Sequence, residues 1–418
     1  MPALTIDAVL AVPATGAYFA DDQAAIKAGA VRDGLAYPGV PVTPGFDAIR
    51  APAEAVSVLL VLSDGHVAHG DCVSVQYAGV GGREPRLRAT ALAALLEREV
   101  APRLTGRPVT SFRDAADVDG FGAAAAYGLS QALLDAAAHR AGRTMADVVA
   151  DEWGLERPTR PVPVFAQTGE EREANVDTMI LKEVDSLPHG LINDRALVGA
   201  DGEALVGYVR WVRERVERLR TRPDYAPILH FDVYGMLGVV TGEDLARVAD
   251  ILAAMGEAAA PLALRVEHPV DAGSREAQIR ALSGLRERMA SRTPHVQIVA
   301  DEWANTVEDI RAFNRSGAAD VVQIKAPDLG SVHHVVDAIL DCKAHGVVAH
   351  LGGSCCETER TAQVSAHLAL GAGADQLLAK PGMGVGEGLS IVRNEMARAL
   401  ALSAYTIVAP TADERGDR

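Results

Sequence analysis

From about residue 160 to residue 380 the chain repeats one pattern. A short apolar run ends abruptly in a polar residue, and an amphipathic helical stretch follows. The runs fall at 162–167, 178–182, 228–232, 262–267, 296–301, 321–325, 347–351 and 376–380, which makes eight candidate strands. Between them, Leu205, Val209, Val212, Val216 and Leu219 recur at steps of three and four and predict a helix over 202–221. Strand–helix alternation implies a parallel sheet, and eight units favour a closed (β/α)8-type barrel over an open doubly wound sheet. The interval from Gln167 to Thr178 leaves room for a short helix only, so the barrel is expected to be irregular there.

The first 155 residues read differently. The segment 56–62, the turn Ser63-Asp64-Gly65 and the segment 66–71 form a hairpin, and Ala-, Leu- and Arg-rich helical patterns follow near 84–100, 121–141 and 144–153. Pro158, Pro161 and Pro163 then interrupt the chain. Prolines resist helix and mark a change of organisation. The expected division is an N-terminal α+β capping domain over 1–158 and a catalytic barrel over 159–418.

Active sites of such barrels form at the C-terminal ends of the strands. The residues there are Asp232, Glu267 and Asp301, then Lys325. One strand-end acid is unremarkable, as a loop residue or a helix cap. Three on consecutive strands converge, repel, and are driven toward protonation if buried. A hard divalent cation removes that conflict, and all-oxygen ligation favours Mg2+ over Zn2+. Side chains two apart share a strand face, so His230 lies below Asp232, Arg265 below Glu267 and Gln323 below Lys325. His230 and Arg265 are expected to support the ligands from that layer, although a satisfied core histidine is an equal reading of His230. Adjacent Glu302 is expected to point away, to the rim. Beside a cation and partly desolvated, Lys325 is expected to lose its proton readily, which suits a base that abstracts a proton next to a carboxylate.

Composition narrows the setting. Only five of the 40 basic residues are lysine (Lys27, Lys182, Lys325, Lys343 and Lys380), which singles them out in a chain that otherwise uses arginine. Apolar residues make up 49% and charged residues 23%, as in a globular enzyme and not a disordered chain. The net charge of −16 argues against nucleic-acid binding. No apolar run has the length of a membrane span, and the N-terminus lacks a basic leader region. Cys72, Cys342, Cys355 and Cys356 make a poor disulfide framework, so a reducing cytoplasm is expected.

Several long strings carry a resemblance. They are YFADDQAAIKAGA (18–30), HGDCVSVQYAG (69–79), FAQTG (165–169), MILKEVDSLPHGLIN (179–193), HFDVYG (230–235), VADEWANTVEDI (299–310), VQIKAPDLG (322–330), GGSCCET (352–358) and LAKPGMGVGEGL (378–389). Over nearly its whole length the chain resembles the methylaspartate ammonia-lyase family of the enolase superfamily. The resemblance implies a modified (β/α)7β barrel of the TIM type with an α+β cap, and a homodimer. It implies Mg2+ on Asp232, Glu267 and Asp301, with a monovalent cation such as K+ as a further candidate. It implies Lys325 as the base that removes the C3 proton of (2S,3S)-3-methylaspartate, a small amino-dicarboxylate, with mesaconate and ammonia as products. His189 matches the base on the opposite face, linked to the C3 epimer. Gln167, Gln323, Ser354 and Cys355 match residues that hold the carboxylates, and Gln76 and Leu378 match the lining around the amino group and side chain.

The chain departs from the family pattern at His268 (for Gly), Ser354 (for Thr), Cys356 (for Asn) and Ala304 (for Cys). The first three are expected in or near the mouth and bear on substrate preference. Rival readings are a racemase or acid-sugar dehydratase of the same superfamily, a Schiff-base aldolase using Lys325, and a phosphorylated substrate at Gly352-Gly353 and the GMGVGEG loop (382–388).

Overall fold

The structure is a computed structural model and describes residues 3–115, 118, 120–292, 296–380 and 382–408. Strands β1 (Ile6–Asp21), β2 (Arg50–Leu62) and β3 (Val67–Val73) form an antiparallel sheet in that order. Along β2, Val56, Val58, Leu60 and Leu62 alternate into the core. Helices Ala89–Leu95, Ala123–Ala141 and Met145–Trp153 belong to this part. The hairpin and these three helices lie where the sequence pattern puts them. The pattern missed β1, because Pro13 and Gly16 interrupt it. Edge strands tolerate proline, and β1 is an edge with Leu10 and Val12 exposed.

The barrel strands are β4 (Val164–Phe165), β5 (Ser186–His189), β6 (Ile228–Asp232), β7 (Leu264–Glu267), β8 (Val296–Ala300), β9 (Val321–Ile324), β10 (Val348–Leu351) and β11 (Gln376–Leu378). They close in the order β10-β11-β4-β5-β6-β7-β8-β9 with parallel pairing throughout. Seven of the eight expected runs coincide with strands. The eighth, 178–182, does not: it lies at the end of helix Arg172–Leu181, and the strand is Ser186–His189. Val176, Met179 and Ile180 share a helical face and are fully buried, so burial is satisfied by a helix. The true strand was obscured by Pro188 and by its mixed polarity. A helix of 10 residues therefore fits between β4 and β5, and the unit is not cramped.

The barrel interior below the mouth is polar and aromatic. Phe165 stacks on His230 with centroids 4.3 Å apart, and Gln376 accepts from Ser186 Oγ (2.9 Å) and from Arg265 Nη1 (2.6 Å). Arg265 thus braces the floor and does not reach the strand-end acids. All four cysteines are buried and free.

The cap sits on the mouth and grips the segment after β10. Ala17 N donates to Glu357 O (2.9 Å), Gln76 N to Ser354 O (2.8 Å), and Thr358 Oγ1 to Asp71 Oδ2 (2.6 Å). Within the cap, helix Ala123–Ala141 lies so close to β3 that a Cβ at Gly128 would stand 2.4 Å from Cys72 Sγ and 2.5 Å from Cys72 N. Alanine at a helical glycine ordinarily gains about 1 kcal/mol. Here a clash with backbone reverses the sign, and overpacking of this kind costs about 1–3 kcal/mol. Gly128→Ala is expected to lower the thermal unfolding midpoint; an unchanged or raised midpoint in scanning calorimetry would show slack at this contact.

Candidate active site

Five strand ends converge under the cap. Asp232 closes β6 and Glu267 closes β7, and the two are register partners. His189, the last residue of β5, joins them: one ligand-capable atom from each of the three lies within 4.8 Å of the others. His189 Nε2 stands 3.4 Å from Asp232 Oδ2. Beneath, His230 Nε2 lies 2.8 Å from Glu267 Oε2, and Gln323 Nε2 donates to Glu267 Oε1. His230 therefore does support an acid from the layer below. Asp301, one residue past β8, is held by Lys325, whose Nζ lies 2.6 Å from Oδ1 and 2.7 Å from Oδ2.

These groups are almost completely shielded from water, and their protonation reflects it. Burial pushes Asp232 well above the usual carboxylate range, and repulsion from Glu267 and Asp301 adds to it. Burial likewise raises Glu267, to about 8. Asp301 is pushed up by burial and by Glu302. Burial holds His189 well below its ordinary value, and the positive side of the site adds to the effect, so its imidazole is neutral. Lys325 goes the opposite way from the sequence expectation. Burial and Arg83 disfavour its ammonium, but Asp301 and Glu302 outweigh both, and it is held protonated. The cause is direct pairing with Asp301. Three crowded oxygen donors driven toward protonation form a set that suits a hard divalent cation.

Glu302 is not a rim residue. It is 3% exposed, with Oε2 3.1 Å from His268 Nδ1 and Oε1 3.9 Å from Lys325 Nζ. The strand ends at Ala300, so alternation no longer governs where Glu302 points. His268 has φ +49°, the left-handed conformation for which glycine was expected, and its ring is fully turned inward. Arg83, from the cap, reaches the same cluster: its Nε lies 2.8 Å from Asp328 Oδ2 and its Nη1 3.7 Å from Glu302 Oε1.

One cavity under the cap is lined by Gln76, Gln167, His189, Asp232, Gln323, Lys325, Ser354, Cys355 and Leu378, while Glu267 and Asp301 are not part of its lining. The expected residues are thus gathered in one place. Tyr77, Arg83 and Tyr234 line it as well, and the sequence reading missed them. Tyr77 and Tyr234 meet edge-on, with centroids 5.7 Å apart. Both stand beside residues already singled out, Gln76 and Asp232, which was the available signal. Of the departures, Ser354 faces the cavity, but the Cys356 thiol turns to Phe19 O of the cap, 3.5 Å away. His189 ends β5 and Lys325 follows β9; in the ring β9-β10-β11-β4-β5 these are four steps apart, and four in the other direction, so they approach from opposite walls.

Family models match both parts of the chain: methylaspartate ammonia-lyase N-terminus over residues 4–154 and C-terminus over 156–405. The chain belongs to the methylaspartate ammonia-lyase family. It is 48% identical to the methylaspartate ammonia-lyase of Clostridium tetanomorphum over 403 residues, 94% of this chain and 98% of that one. Crystal structures of the family superpose closely. The Mg complex of the Clostridium tetanomorphum beta-methylaspartase has a TM-score of 0.89 at 47% identity, covering 96% of this chain and 100% of that one. The Citrobacter amalonaticus enzyme containing (2S,3S)-3-methylaspartic acid has a TM-score of 0.92 at 46% identity, covering 95% and 99%. The muconate lactonizing enzyme of Pseudomonas fluorescens, 17% identical with a TM-score of 0.62 over 93% of this chain and 89% of that one, shares the fold. This chain is accordingly an enzyme of an ammonia-lyase family acting on methylaspartate, built on a barrel fold that it shares with muconate lactonizing enzyme.

Arg83 joins cap to barrel through buried charge. Removing one partner of a buried pair costs up to about 3–5 kcal/mol, because the remaining charges stay desolvated. Arg83→Met is expected to lower the thermal midpoint clearly and Arg83→Lys less so, since one ammonium cannot span both carboxylates. Equal midpoints for wild type and Arg83→Met would show that the pairings with Asp328 and Glu302 contribute nothing.

Proposed function

We propose that this chain eliminates ammonia from L-threo-3-methylaspartate, the (2S,3S) isomer, to give mesaconate. The observation that carries the reading is the pair of opposed groups, Lys325 and His189, across one cavity that Asp232 also lines. Asp232, Glu267 and Asp301 are the residues that would hold Mg2+. When bound, the cation would supply positive charge for the substrate carboxylate next to C3. Lys325 acts in its neutral form and takes the C3 proton onto Nζ. The C3–H electron pair becomes the C2=C3 bond, and the C2–N bond breaks with its own electron pair leaving on the nitrogen of ammonia. Gln167, Gln323, Ser354 and Cys355 orient the two carboxylates, while Gln76 and Leu378 border the amino group and the methyl side. His189, neutral and on the other wall, serves the C3 epimer.

The family resemblance further supports a homodimer and a cytoplasmic enzyme of amino-acid degradation, with K+ as a candidate monovalent activator. Among the described residues no helix is long and apolar enough to cross a membrane. Two opposed bases also suit proton exchange at one carbon, so epimerisation at C3 is the second reading. An ultraviolet assay separates the two, because only elimination makes a conjugated diacid. With (2S,3S)-3-methylaspartate and Mg2+ the absorbance should rise; chelation should stop it and Mg2+ should restore it. Inversion at C3 without absorbance would replace elimination by epimerisation.

A guanidinium keeps the charge of Lys325 but cannot accept a proton near neutral pH. Lys325→Arg is therefore expected to lose about 100- to 10,000-fold in turnover, with C3 deuterium exchange lost alongside. Near-normal exchange in this variant would show that the proton goes elsewhere. His189→Ala should depress the (2S,3R) epimer much more than the (2S,3S) isomer. Equal losses on both would make His189 a binding or supporting residue.

A further inference from the structure

Lys380 is one of the chain's five lysines and has no part in the chemistry above. It lies two residues past β11, at the barrel mouth, yet it is fully buried and does not line the cavity. Its Nζ points behind the cavity wall and donates to Gly352 O at 2.9 Å. Gly352 starts the segment that carries Ser354 and Cys355, and it lies hard against Gln323: a Cβ there would come within 2.6 Å of Gln323 Cγ. At the far end of the same segment stands Glu357, also fully buried. Its Oε1 accepts from Ser354 N, and its Oε2 has no hydrogen-bond partner among the described residues. Burial disfavours the charged form of both Lys380 and Glu357, and each is the main group that offsets this for the other. A buried ammonium and a buried carboxylate thus hold the two ends of one short segment whose middle faces the cavity.

We infer that Lys380 is a positioning residue: from behind the wall its ammonium holds Gly352 and, with Glu357, sets the segment 352–357 in the shape that presents Ser354 and Cys355 to a substrate carboxylate. Lys380 touches no reacting atom. Only the identity of the bound anion rests on the proposed ammonia-lyase reading; the placement of the segment does not.

The test uses the full chain with Mg2+. Lys380→Met removes the ammonium and leaves Glu357 charged and buried, which endangers folding. The double change Lys380→Met with Glu357→Gln removes both charges together. In whichever variant folds, amide hydrogen exchange across 352–357 should accelerate while the rest of the barrel stays protected. KM for (2S,3S)-3-methylaspartate should rise by roughly ten-fold or more, with C3 exchange at saturating substrate within about three-fold of wild type. Unchanged amide exchange and KM overturn the inference. So does loss of C3 exchange at unchanged KM, which would place Lys380 in the chemistry, and so does failure of both variants to fold, which would make it a residue of the fold. If the wild-type enzyme leaves methylaspartate untouched, the ammonia-lyase reading fails. Amide exchange then decides the role of Lys380 alone: acceleration across 352–357 upholds it and an unchanged rate overturns it.

Discussion

Three carboxylates are held together where water cannot screen them. Asp232 and Glu267 are register partners at the ends of adjacent parallel strands, and Asp301 follows the next strand, two residues beyond Val299, the partner of Glu267. Coulomb repulsion at this range is strong in a medium of low polarity. The surrounding groups offset it: His230 and Gln323 bond Glu267, Tyr234 N donates to Asp232 Oδ1 at 3.0 Å, and Lys325 bonds Asp301. The same crowding that destabilises the bare acids is what a hard cation would relieve.

The cap belongs to this electrostatic arrangement as much as to the packing. It brings Arg83 to Glu302 and Asp328, and it bonds the backbone of Ser354 and Glu357 through Gln76 and Ala17. The segment after β10 is therefore held from above by the cap and from behind by the barrel. Substrate-facing residues on a loop gain the precision of a rigid element only when their supports are fixed in this way.

The departures from the family pattern fall into place by where each side chain points. Cys356 bonds a cap carbonyl and faces away from the cavity, so it acts on the seam. His268 places a ring against Glu302, in a backbone conformation that glycine adopts at no steric cost. Of the three expected in or near the mouth, Ser354 is the one in the cavity wall.

The barrel and the four strand-end residues were legible in the sequence. A parallel strand buried on both faces is a continuous apolar run, and the polar residue that ends it marks the mouth. Local pattern also placed the hairpin and the principal helices of the cap. It failed where local signals conflict with tertiary burial. The run 178–182 is as apolar as a strand but is buried as a helix face, while Pro188 disguised the true strand, and Pro13 and Gly16 disguised β1. Glu302 was misplaced because alternation stops where the strand stops. The protonation of Lys325 was misjudged because it depends on Asp301, a residue of another strand. Arg83 carries no local signature, and Lys380 is marked only by the scarcity of lysine in the chain. Their roles come from what lies opposite them across the cap–barrel seam and behind the cavity wall, and only the folded chain brings residues 83 and 302, or 380 and 352, within reach of one another.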